Sequence, residues 1–152
     1  MGYWHVGFTD YRLKNNMKKF FVLCLLLIIL VVGGSVYFMD NLQTTATFID
    51  VAPQQFSQDL KTGDYTLIDV RTLDEYNAGH LKNASQSDYY QTQAFTTYLG
   101  SLNVNGKYLI YCRTGKRSAL VMQMMRDMGF TSVSDLAGGY NAWLANGLPT
   151  EQ

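Results

Sequence analysis

From Thr47 onward the chain alternates short apolar runs with longer amphipathic ones, and few architectures can bury that pattern. Thr66–Val70 (TLIDV) and Lys107–Tyr111 (KYLIY) are nearly continuous in apolar residues, as strands are when both faces of their sheet are covered. Thr47–Val51 is a β-branched segment before them, and Ser132–Asp135 reads as a last short strand. Between these runs Pro53 is placed to start a helix through Leu60, stopped near Gly63. Asp74–Gly79 suits a short helix, and Thr92–Leu102 a longer one with Phe95, Tyr98, Leu99 and Leu102 on one side. Arg117–Met128 follows, with Leu120, Met124 and Met128 at i, i+4, i+8 spacing and Gly129 as its stop. Tyr140–Ala145 precedes Gly147 as a final helix. The alternation predicts an α/β fold, a parallel sheet flanked by helices on both faces.

The N-terminal region has a different character. Phe20–Phe38 contains 19 residues without a charge. As a helix it would be about 28 Å long, close to the ~30 Å hydrocarbon core of a bilayer, and it lacks the polar face of a soluble helix. The chain therefore divides into a basic segment over 1–19, a transmembrane helix or signal anchor over 20–39, a linker over 40–46 and a domain over 47–152. Lys18 and Lys19 directly precede the apolar run, so the positive-inside tendency puts the domain on the extracytoplasmic, periplasmic side of the cytoplasmic (inner) membrane. Apolar sequence continuing to Met39 favours an uncleaved, single-pass anchor over a removed signal. Met17-Lys-Lys-Phe-Phe reads as the start of a secretory signal, with translation expected to begin at Met17.

Up to Phe38 four basic side chains face one acidic one, whereas from Met39 onward there are eight basic and eleven acidic. An acidic domain has no electrostatic footprint for nucleic acid. Of two cysteines, Cys24 lies in the apolar run and Cys112 is the domain's single thiol. An internal disulfide is thereby excluded, and no metal-spaced Cys/His cluster accompanies the thiol.

Cys112 follows the strand KYLIY directly and stands just before the helix beginning near Arg117, where α/β sheets bind their ligands. The connecting stretch is Cys112-Arg113-Thr114-Gly115-Lys116-Arg117, with Ser118 next. Gly115 lets the backbone curl so that successive N–H groups face the sulfur, and the helix N-terminus adds its dipole. A thiolate is favoured in such a nest. Three of the domain's eight cations, Arg113, Lys116 and Arg117, lie within five positions of the thiol, a patch suited to a small anionic substrate.

Three separated stretches, LIDVRTLDEYNAGHLKNA (67–84), YLIYCRTGKRSALVMQMMRDMGF (108–130) and VSDLAGGYNAWLANGLP (133–149), resemble in order the signatures of the rhodanese family. The resemblance implies a five-stranded parallel sheet and a cysteine that cycles between thiolate and persulfide. Cys112 matches the persulfide-forming residue, and Arg113, Thr114, Gly115, Lys116 and Arg117 match the rest of its active-site loop. Asp69 and Arg71 match an Asp-x-Arg near that loop, read as a structural ion pair. His80 matches a structural position, and Gly138, Gly139 and Trp143 a terminal packing motif. Ala84–Asp88 (ASQSD) departs from the family in being polar, so that strand is expected to be short. Related domains acting on phosphate or arsenate carry Cys-x5-Arg, whereas this loop is Cys-x4-Arg.

The resemblance implies a thiosulfate sulfurtransferase. Sulfane sulfur passes from a small anionic donor such as thiosulfate to Cys112 and on to cyanide or a thiol, with no metal or organic cofactor. A membrane-tethered persulfide carrier, or a non-catalytic rhodanese-like binding module, is the alternative.

Overall fold

In a computed structural model of the protein, the described residues are 17–31 and 45–152. Residues 17–31 form one helix, α1. Its Phe20, Leu25 and Leu30 are exposed, as are most of its side chains. Among the described residues no helix is long and apolar enough to cross a membrane. The spanning helix expected over 20–39 is thus found only as far as residue 31. Its remainder, the linker to residue 44 and the segment before Met17 lie outside the described residues.

The compact unit begins at Thr45. Its elements are β1 (Thr47–Val51), α2 (Pro53–Thr62), β2 (Thr66–Asp69), α3 (Leu73–Asn77), β3 (Ser85–Gln86), α4 (Thr92–Gly100), β4 (Lys107–Tyr111), α5 (Lys116–Asp127), β5 (Ser132–Leu136) and α6 (Gly139–Ala145). The five strands form one sheet in the order β1-β5-β4-β2-β3, and every pairing is parallel. β3 has only two residues, because ASQSD offers too little apolar surface to hold a longer strand.

Alternation along the strands divides the core. Ile68, Val70, Ile110, Cys112 and Val133 pack with Phe95 and Leu99 of α4 and Val121 and Met125 of α5. Leu67, Leu109, Tyr111 and Leu136 pack on the other face with Phe56 of α2 and Trp143 of α6. A fully buried side chain of this size contributes roughly 1.5–3 kcal/mol.

One helix presents a different face from the expected one. Leu120 is 54% and Met128 36% exposed, while α5 buries Ser118, Val121 and Met125. Apolar residues occupy both stripes, so periodicity could not choose between them. What sets the face of α5 is the packing of Val121 and Met125 against Ile110 and Val133 of the sheet, with Ser118 buried beside them, its hydroxyl donating to Gly115 O at 3.2 Å.

Candidate active site

β4 ends at Tyr111 and delivers Cys112 to the α5 side of the sheet, 1% exposed. Gly115 then adopts φ +90, a left-handed conformation that glycine takes at little cost, and α5 starts at the next residue. The turn aims its amides at the sulfur. Gly115 N–H donates to Cys112 Sγ at 3.2 Å, and polar groups of Thr114, Arg117 and Ser118 stand close enough to favour charge on the sulfur; the Ser118 hydroxyl itself donates to Gly115 O at 3.2 Å. Burial pushes the thiol pKa up, but these groups outweigh it and hold the thiol below its ordinary value.

The loop's carbonyls must then point elsewhere and find donors. Cys112 O accepts from Tyr140 N–H at 2.8 Å, and Arg113 O from Asn141 N–H at 3.0 Å, so the first turn of α6 clasps the loop from behind. Gly139 makes this approach possible. A Cβ there would stand 2.5 Å from Cys112 O and 2.8 Å from both Arg113 C and Gly115 N. Gly139, read from sequence as packing, is the seat of the Cys112 loop.

The expected cation patch is only partly free. Arg113 and Lys116 are exposed, and Thr114 beside them. Arg117 instead donates Nη1 and Nη2 to the two carboxylate oxygens of Glu75, each at 2.8 Å. Its guanidinium also lies 5.3 Å from the Tyr90 ring centroid. Glu75 completes a capping box with Thr72 at the start of α3. The Arg117 hydrogen bonds, above all, hold its carboxyl down at about 2. Arg117 is therefore a clamp on the first turn of α5. The signal for Glu75 was the Thr72-x-x-Glu75 capping pattern, but nothing local announced its partner 42 positions away.

Asp69 and Arg71 pair on the opposite face, both buried, with Arg71 Nη2 2.6 Å from Asp69 Oδ2 and 2.8 Å from Gly79 O. The guanidinium stacks over Tyr140 at 4.1 Å and lies 5.4 Å from Tyr111. Burial opposes the charge on Arg71, but the Asp69 contacts raise its pKa further. Burial, with Asp69 adding to it, pushes the Tyr111 phenol far above its usual range, and Tyr111 Oη accepts from Leu81 N–H at 3.1 Å. The cluster braces β4 from behind and makes no contact with the sulfur. His80 stacks on Tyr76 with ring centroids 3.8 Å apart. A recess of about 390 Å³ lined by Leu60, Tyr65, Lys82 and Trp143, among others, includes no residue of the Cys112 loop.

A buried sulfur that accepts from a backbone amide where the central strand β4 meets α5 defines a class, α/β domains with a cysteine loop at the carboxyl edge of a parallel sheet. Within it, the chain belongs to the rhodanese-like domain family, which residues 52–146 match. It is 31% identical to the senescence-associated protein DIN1 of Raphanus sativus, over 66% of this chain and 60% of that protein. It thus spans about three-fifths of that relative's length. It is also 32% identical to thiosulfate sulfurtransferase 16, chloroplastic, of Arabidopsis thaliana, over 62% of this chain and 87% of that one. The solution structure of a rhodanese-like domain from Anabaena superposes with a TM-score of 0.60 at 28% identity, covering 67% of this chain and 77% of that one.

Proposed function

We propose that this protein is a sulfurtransferase carrying sulfane sulfur on Cys112. The observation that carries the reading is a buried sulfur at the start of α5 that accepts from Gly115 N–H at 3.2 Å, in a turn whose polar groups favour its thiolate. The Cys112 thiolate attacks the outer sulfur of thiosulfate. The new S–S bond forms as the donor's own S–S bond breaks, and its electron pair leaves with sulfite. The outer sulfur of the persulfide takes up the negative charge, which the loop amides and the α5 N-terminus stabilise. Cyanide or a thiol then attacks that sulfur, and the electron pair of the breaking bond returns to Cys112. Arg113 and Lys116, the exposed cations of the loop, attract the anionic donor. Because the thiol is already inclined to ionise, no separate general base is needed.

The test is production of thiocyanate from thiosulfate and cyanide, which Cys112→Ser abolishes. Thiocyanate still formed by that variant would refute the mechanism. A gain of one sulfur atom in mass without turnover would reduce the role to a persulfide carrier.

We further propose that residues 20–39 tether the domain to the inner membrane, with the domain on the periplasmic side. The charge-free run over 20–38 and the preceding Lys18 and Lys19 support this. Recovery of the native protein in washed membranes tests it, and its release by high salt would refute it.

A further inference from the structure

On the face of the sheet opposite Cys112 lies the recess of about 390 Å³ bounded by α2, β2 and α6, a volume that small molecules fill. Leu67 of β2 and Trp143 of α6, both buried, line it, with Tyr65 beside them. Its walls are fixed by hydrogen bonds. Trp143 Nε1–H donates to Pro149 O at 3.0 Å, and the backbones of His80 and Glu151 exchange two bonds of 2.8 Å, so the C-terminal strap is held at both points. Toward β3, Asn83 holds φ +63, a left-handed backbone that no other non-glycine adopts among the described residues. The space is therefore preformed, not opened by a loose chain end.

The charges around it are uneven. Lys61 and Lys82 line the recess, and its lining residues include no carboxylate. Lys107 lies 5.8 Å from the Tyr65 ring centroid. Two carboxylates stand near these cations, Glu151 3.4 Å from Lys82 and Asp64 4.0 Å from Lys107, and all four side chains are at least 43% exposed. Such exposed pairs hold loosely. Lys61 has no carboxylate partner among the described residues. It sits in the last turn of α2, and a helix end there carries roughly half a negative charge. Three cations against two carboxylates and that half charge leave a small positive excess. It suits one negative charge on a ligand, not two.

We propose that this recess is a binding site for a small aromatic carboxylate, separate from sulfur transfer. The ligand's flat ring packs against Trp143 and Tyr65, which favour offset or edge contacts with another ring, and covers Leu67. Because the indole N–H is already bonded to Pro149, Trp143 offers the ligand only apolar surface. The carboxylate stays at the mouth, where Lys61 and Lys82 meet it and the Asn83 amide donates to it. Apolar walls would strip water from a bare phosphate or sulfate without replacing it, so the anion must come attached to a ring. No residue of the Cys112 loop lines the recess, and the site and the sulfur chemistry stand or fall independently.

The probe is 2-naphthoate, titrated calorimetrically into the full chain held in lipid nanodiscs, with empty nanodiscs as the blank. A Kd on the order of 0.1 mM is expected for a ligand of about 13 heavy atoms. The uncharged 2-naphthamide should bind about fivefold more weakly, and Lys61→Gln should remove most of that preference. Ser57→Phe puts a ring into the recess from α2 and should abolish binding, an unchanged melting temperature showing that the fold is kept. Were that variant to unfold, Lys61→Gln, at an exposed position, decides alone. Arg113→Ala should bind as the unsubstituted protein does. No heat of binding, equal affinity for the amide, or equal affinity for inorganic phosphate overturns the proposal. So does binding that is lost in Arg113→Ala, which would put the anion at the Cys112 loop, or that is unchanged in Lys61→Gln.

Discussion

Glu75→Gln isolates the clamp on the active-site loop. Glutamine keeps the length and an acceptor oxygen, and still serves the Thr72 capping box, so the main loss is the charge facing Arg117. The native pairing is bidentate, at 2.8 Å for each oxygen, with the Arg117 and Glu75 side chains 13% and 24% exposed. The carboxyl is lowered from 4.5 to about 2. At ~1.36 kcal/mol per pH unit, that shift contributes about 3.4 kcal/mol of stability at pH 7. Because the folded-state pKa is the depressed one, the contribution is complete above 4.5 and is lost as pH falls toward 2. At pH 3 about 1.4 kcal/mol of it remains. Urea unfolding followed by the fluorescence of buried Trp143 should therefore show Glu75→Gln destabilised by about 2–3 kcal/mol at pH 7, the retained acceptor reducing the full value. The gap should shrink by roughly 2 kcal/mol at pH 3. A difference that does not change between the two pH values would mean that Glu75 acts through packing or capping, and the clamp would be refuted.

Gly139→Ala places a methyl group 2.5 Å from Cys112 O in a left-handed backbone. It should cost more than about 2 kcal/mol and slow thiocyanate production at least as strongly as it lowers the melting temperature. Ser118→Ala removes a hydroxyl that favours the charged sulfur, and the ultraviolet thiolate absorbance should then titrate at higher pH. Arg113→Ala and Lys116→Ala should each raise KM for thiosulfate about two- to tenfold with kcat little changed, and this sensitivity should fade in high salt. For Asp135, an acid raised from 3.8 to about 7, the sign runs the other way from Glu75. The native state binds the extra proton, so stability falls as pH climbs between these values, by up to about 4 kcal/mol in total. Asp135→Asn should abolish that fall, as thermal melts at pH 5 and pH 8 would show.

Whatever depends on neighbours in the chain was legible in the amino-acid order. The apolar runs announced β2 and β4, Gly115 announced the turn, and Cys112 stood visibly between strand and helix, because strand burial, turn formation and helix starts are local choices. The brevity of β3 followed from ASQSD in the same way. Three features were settled only by the tertiary structure, and each joins residues far apart in sequence. Arg117 looked like a free cation until α3 brought Glu75 to it. Gly139 looked like packing until α6 set its first turn against the carbonyls of Cys112 and Arg113. Asp135 drew no notice as the last residue of an expected strand, and α5 offered two apolar stripes of equal quality. The sheet decided the helix face, because Val121 and Met125 pack against Ile110 and Val133, residues brought beside them only by the fold.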